Sequence, residues 1–214
     1  MSILDEISTF LQQGRAAKVK ELVPQALEAG FEPQVILEEG LLSGMSVVGE
    51  KFKKNEVFVP EVLVAARAMN AGVTLLRPYL ISAGVTTKGV AVLGTVKGDL
   101  HDIGKNIVKM MLESKGLEVI DLGVDVPADT FIEKAIEHNA NVICCSALLT
   151  TTMMEMKEVV EKAEKAGIRD KVKIMVGGAP ITQQFCDSIG ADYFTADATS
   201  CADVALKICT NEKI

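Results

Sequence analysis

Asp99 and His101 stand two residues apart in Gly94–Gly104, which reads GTVKGDLHDIG and holds one of only two histidines in the chain. On a helix, side chains two apart face different ways. In extended or turn backbone they share a side. A carboxylate beside an imidazole fixes its tautomer and raises its basicity as a metal ligand. The same pair could act as a base, although no Ser or Cys lies close in sequence to serve as nucleophile. A third reading is a solvated Asp/His turn that caps the next helix. A dinucleotide loop fits worst. Gly94, Gly98 and Gly104 miss the G-x-G-x-x-G spacing, and the charge of Asp99 would oppose a pyrophosphate.

Such a turn needs elements to aim it. The apolar run Gly89–Leu93 precedes it, and a helical pattern begins at Ile103. From Gly89 onward strand and helix patterns alternate. Strands are expected at Gly89–Gly94, Leu117–Leu122, Val142–Ser146, Lys173–Val176 and Ala191–Phe194. Helices are expected at Ile103–Ser114, Ala128–Asn139, Thr152–Ala166, Thr182–Ile189 and Ser200–Thr210. Short apolar strands joined through helices imply a parallel sheet covered on both faces. Two strand orders are open, 3-2-1-4-5 and the flavodoxin-like 2-1-3-4-5. In the second, the turn after strand 1 faces SALLTTT after strand 3, with GGAP after strand 4 alongside. Ligands bind at that switch point in open parallel sheets.

The first 79 residues follow a different period. Ile3, Leu4, Ile7, Phe10 and Leu11 form one helical stripe, and Val19, Leu22, Val23, Ala26 and Leu27 another, with Pro24 as a kink or restart. Gly30 reads as a helix end and Pro33 as the next start. Ile36, Leu37, Leu41, Met45 and Val48 continue that helix; KFKKNEVFVP interrupts, and Pro60 opens a fourth. Four helices with short connections read as a small bundle. The expected organisation is a helical domain at 1–79, a linker at 80–88 (LISAGVTTK) and an α/β domain at 89–214. The fold class is thus α/β: a four-helix bundle, then a flavodoxin-like, Rossmann-like five-stranded parallel sheet with helices on both faces.

Composition narrows the function. Hydrophobic residues make up 49% of the 214, aromatics only 4%, and Trp is absent, so the core is aliphatic and rich in Met. A formal charge of −7 argues against nucleic acid or an anionic membrane as partner. The start MSILDEISTF lacks the pattern of a signal peptide, and no unbroken apolar run reaches the length of a membrane helix, which points to the cytoplasm. Five cysteines, with no C-x-x-C, do not read as a disulfide framework or zinc site. Cys144 and Cys145 lie in the apolar run VICCSALL and are expected to be small buried hydrophobes.

Three short motifs occur in order: Asp99-Leu-His101-Asp102-Ile103-Gly104, then Ser146-Ala-Leu148, then Gly177-Gly178. This resembles the D-x-H-x-x-G, S-x-L, G-G signature of methylcobalamin-binding proteins. The helical half is similar too: Gly44–Met69 resembles the cap of cobalamin-dependent methionine synthase and of the small corrinoid proteins of methanogens and acetogens. The resemblance covers nearly the whole chain.

Several expectations follow from the resemblance alone. The cofactor is cobalamin or a related corrinoid, carried as methylcobalamin in the base-off, His-on form, with His101 as the cobalt ligand. Asp99 bonds the other imidazole nitrogen, and the family's relay serine falls on Thr152. Asp102, Ile103, Gly104, Ser146, Leu148, Thr150, Gly177 and Gly178 line the cofactor and its displaced nucleotide tail. Phe52 and Val59 pack over the upper corrin face. The chain would be a carrier that accepts methyl on cobalt(I) from one methyltransferase and gives it up from methyl-cobalt(III) through a second. The partners implied are a substrate-specific methyltransferase, a second methyltransferase with a folate or thiol acceptor, and a reductive activase. A cobalamin-dependent sensor and a flavodoxin-like cofactor module are the alternatives.

Overall fold

A computed structural model describes residues 2–213. The chain divides into two compact units, Met1–Thr86 and Thr87–Ile214.

The first unit is helical. α1 (Ile3–Gln12) opens with a capping box between Ser2 and Asp5 and buries Leu4, Ile7 and Leu11. α2 (Ala16–Glu28) runs straight through Pro24. Leu22, Val23 and Ala26, buried on either side of the proline, hold the helix together there, so the expected restart does not occur. α3 spans 33–53: Pro33–Val35 leads into a π-helical stretch at Ile36–Leu42 and an α-helical stretch at Ser43–Lys53. α4 (Val59–Ser82) starts with Glu61 accepting from the Phe58 N–H at 3.1 Å and continues past Pro78 into the segment read as linker. Among the described residues only α4 is long and apolar enough to cross a membrane by length and composition. It is also the helix that α2 packs on most extensively, burying Val62, Ala65, Ala66, Met69 and Leu76.

The second unit is a parallel sheet in the order β2-β1-β3-β4-β5, the flavodoxin-like alternative. Its strands are β1 (Val90–Thr95), β2 (Glu118–Asp121), β3 (Val142–Ser146), β4 (Lys173–Gly177) and β5 (Tyr193–Phe194). The connecting helices are α5 (Ile103–Ser114), α6 (Ala128–Glu137), α7 (Met154–Lys165), α8 (Gln183–Ile189) and α9 (Ala198–Thr210). α6 packs beside α7, and α5 beside α9. Side-chain alternation splits the core in two. Val92, Ile143, Cys145, Ile174 and Val176 share one cluster with Phe131, Ile132, Met156 and Val159. Ala91, Leu93, Val142, Cys144 and Met175 point the other way and are also buried, as are Met111, Leu112, Cys201 and Ala205 of α5 and α9. Both faces are covered, as a parallel sheet requires. Register pairs Thr95 with Ser146 and Ser146 with Gly177, so the loops carrying all three motifs leave the sheet at one level.

Candidate functional site

Asp99 is fully buried, an expensive place for a carboxylate unless donors surround it. They do. Oδ2 accepts from the backbone N–H groups of Leu148 (2.7 Å) and Leu149 (3.1 Å) and from the Thr152 hydroxyl (3.0 Å). Oδ1 accepts from the His101 backbone N–H (3.1 Å) and lies 2.7 Å from His101 Nδ1. Burial opposes ionisation of Asp99, but the Leu148 N–H, the His101 ring and N–H, and the Leu149 N–H outweigh it. The carboxyl is held well below its ordinary range. A charged Asp99 requires a proton on Nδ1, which leaves the lone pair on Nε2. The His101 side chain is 49% exposed. Among the described residues no group of three or more His, Cys, Asp or Glu side chains could hold a metal, so His101 offers a single nitrogen.

The turn places His101 through its backbone as well. Thr95, fully buried at the end of β1, donates its hydroxyl to the His101 carbonyl at 2.9 Å. On the loops that carry these groups, apolar side chains stand out toward solvent: Leu100 is 71% exposed, Ile103 70% and Met154 58%, with Leu148 and Leu149 exposed as well. So much exposed apolar surface on the loops of one sheet edge is unusual for a monomer and suits a broad, largely apolar ligand. A metal already held by a macrocycle would take no more than one nitrogen from the protein, and His101 could supply it.

The remaining motif residues fall as follows. Asp102 is exposed at the N-cap of α5; its side chain makes no cap bond but accepts from Asn106 Nδ2 at 3.2 Å. Ser146 ends β3 half-buried, and Thr150 is exposed in a 3₁₀ turn, Thr150–Thr152. A Cβ on Gly104 would meet nothing within 4 Å, and one on Gly177 would lie 3.6 Å from the Thr195 carbonyl, so both leave open room. Gly178 differs. Its φ is +135°, and a Cβ would collide with the Ala147 carbonyl. At that position the chain's own backbone excludes a side chain, whatever passes through the loop. In the helical unit, Phe52 and Val59 are half-buried on either side of the turn that joins α3 to α4, while Phe58 between them is 63% exposed.

The sequence reading missed Thr95, Asp125 and the exposed apolar side chains beyond Leu148 and Ile103. A hydroxyl at the end of an apolar strand, and an Asp two residues before Pro127 in a turn, were the available signals. All five cysteines are free; four are buried and Cys209 is partly so. Burial pushes the Cys145 thiol up to about 12 and that of Cys209 to about 11.

Comparison with known proteins agrees with this geometry. Residues 89–204 match a family model described as a B12 binding domain, and residues 3–77 match a second model of that description. The chain is 47% identical over 206 residues to trimethylamine corrinoid protein 1 of Methanosarcina acetivorans, covering 95% of this chain and 92% of that protein. It is 47% identical over 198 residues to the dimethylamine corrinoid protein of Methanosarcina barkeri, covering 92% of each. The structure of the methanol:cobalamin methyltransferase complex of Methanosarcina barkeri contains a chain that superposes with a TM-score of 0.88 at 31% identity. That match covers 99% of this chain and 81% of the other. With a buried Asp99 paired to a half-exposed His101 at the switch point, exposed apolar side chains on the loops there and family matches over both units, the chain belongs to the cobalamin-binding corrinoid proteins.

Proposed function

We propose that the chain is the methyl carrier of a methyltransferase system that uses an N-methylated amine as donor. The observation that carries this reading is the Asp99–His101 pair, bonded through Nδ1 on a half-exposed ring, beside loops that expose Leu100, Ile103 and Leu148. The donor class is favoured because relatives at 47% identity are named for trimethylamine and dimethylamine, whereas the methanol system's chain stands at 31%. A corrinoid held at this site would supply the chemistry, a cobalt able to carry a methyl group between two methyltransferases.

The chain's own residues do the rest. His101 would hold the cobalt through Nε2, in place of the cofactor's own base. The Asp99 carboxylate beside Nδ1 would hold the ring in the tautomer that leaves the lone pair on Nε2. Thr152 supports the charge on Asp99 in the position the family gives to serine. Gly104 and Gly177 leave open room, and Ser146, Leu148 and Thr150 stand beside it to receive the displaced nucleotide tail; Gly178 keeps that loop close to β3, and Asp102 and Ile103 set the lip at α5. Phe52 and Val59 serve as the roof of the upper face. The partners are an amine-specific methyltransferase, a second methyltransferase with a thiol or folate acceptor, and a reductive activase, all in the cytoplasm.

The test pairs a spectrum with a donor panel. The cobalt(II) EPR spectrum of the reconstituted protein should show nitrogen superhyperfine coupling that disappears in His101→Ala. Coupling that persists unchanged in the mutant rules out His101 as ligand. Methylation by amine-specific rather than methanol-specific methyltransferases checks the donor class.

A further inference from the structure

The Lys97–Gly98 and Asp99–Leu100 peptides are gripped from the β2 side. Asp125 Oδ1 accepts from the Gly98 N–H at 2.6 Å, and the Asp125 N–H donates to the Asp99 carbonyl at 2.9 Å. One residue therefore holds the donor on one side of this peptide pair and the acceptor on the other. It does so with φ at +55°, in the left-handed region that Asp tolerates better than most side chains. That conformation turns the N–H and the carboxylate of Asp125 toward the same neighbour. A parallel bridge between Val96 and Val126 continues the seam.

Gly98 explains why the grip matters. It too is left-handed, at φ +79°, and has no Cβ to restrict its torsions. A Cβ there would lie 3.4 Å from the Thr152 methyl group, so steric contact does little to hold the glycine. Its orientation depends on hydrogen bonds, and the Asp125 carboxylate supplies the one to its N–H. Asp99 follows directly. Its side chain is fixed to the β3 loop through Leu148, Leu149 and Thr152, and its carbonyl to the β2 loop through Asp125. His101 lies two residues on. The direction of its ring is the sum of a β3 anchor, a β2 anchor and the Thr95 hydroxyl.

We infer that Asp125 is a positioning residue for metal ligation by His101: its carboxylate holds the Gly98 N–H and its own N–H the Asp99 carbonyl, and together they fix the turn that aims His101. This rests on the proposal that His101 is the axial ligand. Asp125 touches neither the ring nor any reacting atom, and it acts only through the loop.

The experiment uses the full-length chain, Asp125→Gly and Asp125→Asn. Glycine keeps the left-handed backbone and the N–H to Asp99 but removes the carboxylate. Asparagine keeps an acceptor and tolerates the same backbone. At equal corrinoid occupancy, the ratio of His-on to His-off cobalt(II), read from EPR nitrogen coupling, should fall about fivefold in Asp125→Gly, the scale of one solvent-facing hydrogen bond. Asp125→Asn should restore most of it. A structural role alone would lower thermal stability without changing this ratio. Coupling equal to wild type in Asp125→Gly overturns the inference while leaving His101 as ligand intact; absence of coupling in the wild type overturns both. If Asp125→Gly does not fold, the wild-type apo protein decides. A Gly98 amide proton that resonates far downfield and is protected from exchange supports the clamp. One at its random-coil position, exchanging freely, refutes it.

Discussion

Replacing Asp99 by Asn changes one atom and should change which nitrogen of His101 carries the proton. Five donor contacts converge on the two carboxylate oxygens. An amide offers one oxygen. Placed at the Oδ2 position, that oxygen still serves Leu148, Leu149 and Thr152, but the NH₂ group then faces the His101 N–H, donor against donor. The opposite orientation is worse, because it sets NH₂ against two backbone N–H groups. In the better orientation His101 Nδ1 can bond the amide only by accepting, and its proton must move to Nε2. The cost is one orphaned backbone donor plus the loss of charge assistance at the remaining contacts, about 3 kcal/mol in all. For a domain of this size that lowers the melting temperature of the sheet unit by about 10 °C. The assay is a calorimetric scan of the apo protein together with long-range ¹H–¹⁵N correlation of the His101 ring at alkaline pH. Wild type should show protonated Nδ1, and Asp99→Asn protonated Nε2. A mutant that keeps its proton on Nδ1, or melts with wild type, would refute the reasoning.

Two further outcomes follow from the same geometry. Gly178→Ala should destabilise the sheet unit severely, because its Cβ would overlap the Ala147 carbonyl at a φ of +135°, whereas Gly177→Ala, 3.6 Å from the Thr195 carbonyl, should fold normally and lower corrinoid uptake; melting curves and reconstitution stoichiometry separate the two. Asp99 is depressed in the folded state relative to its ordinary 3.8, so its stabilisation is complete above that pH and is lost as pH falls toward the folded value. Wild type should therefore lose stability more steeply than Asp99→Asn between about pH 4 and pH 2, by up to about 1.4 kcal/mol per unit of pH; parallel acid-unfolding curves would count against a charged Asp99.

The sheet was legible because each strand is a short apolar run closed by a turn signal, and because the two open topologies differ only in which loops meet. The π-helical stretch at Ile36–Leu42 was not legible: an apolar stripe does not record which backbone ladder it rides on. Pro24, read as a kink or restart, starts no new helix: it removes one hydrogen bond, and buried neighbours on the same helix outweigh that local loss. In the site, Asp99 and His101 stood out by type and spacing. Thr152 emerged only through resemblance, since nothing local ties it to a residue so far back in the chain. Asp125 is harder still. Its role lies in a backbone conformation and in two hydrogen bonds to another loop, and an Asp in a turn is ordinary.

The cysteines described above bear on what the chain does to its own cargo. Methyl transfer to a sulfur needs a thiolate, and a thiol that stays protonated is a poor rival for an electrophile. Cys145 at about 12 and Cys209 at about 11 stay protonated at neutral pH, Cys144 is pushed up by its hydrogen bond with Cys201 and by burial, Cys186 is pushed up by burial, and Cys201 of α9, drawn down by its hydrogen bond with Cys144, is closed off by its burial. A carrier built this way holds an activated alkyl group without being alkylated by it. Inertness toward its own freight lets one polypeptide survive many turnovers, and here it comes from where the sulfurs sit rather than from their removal.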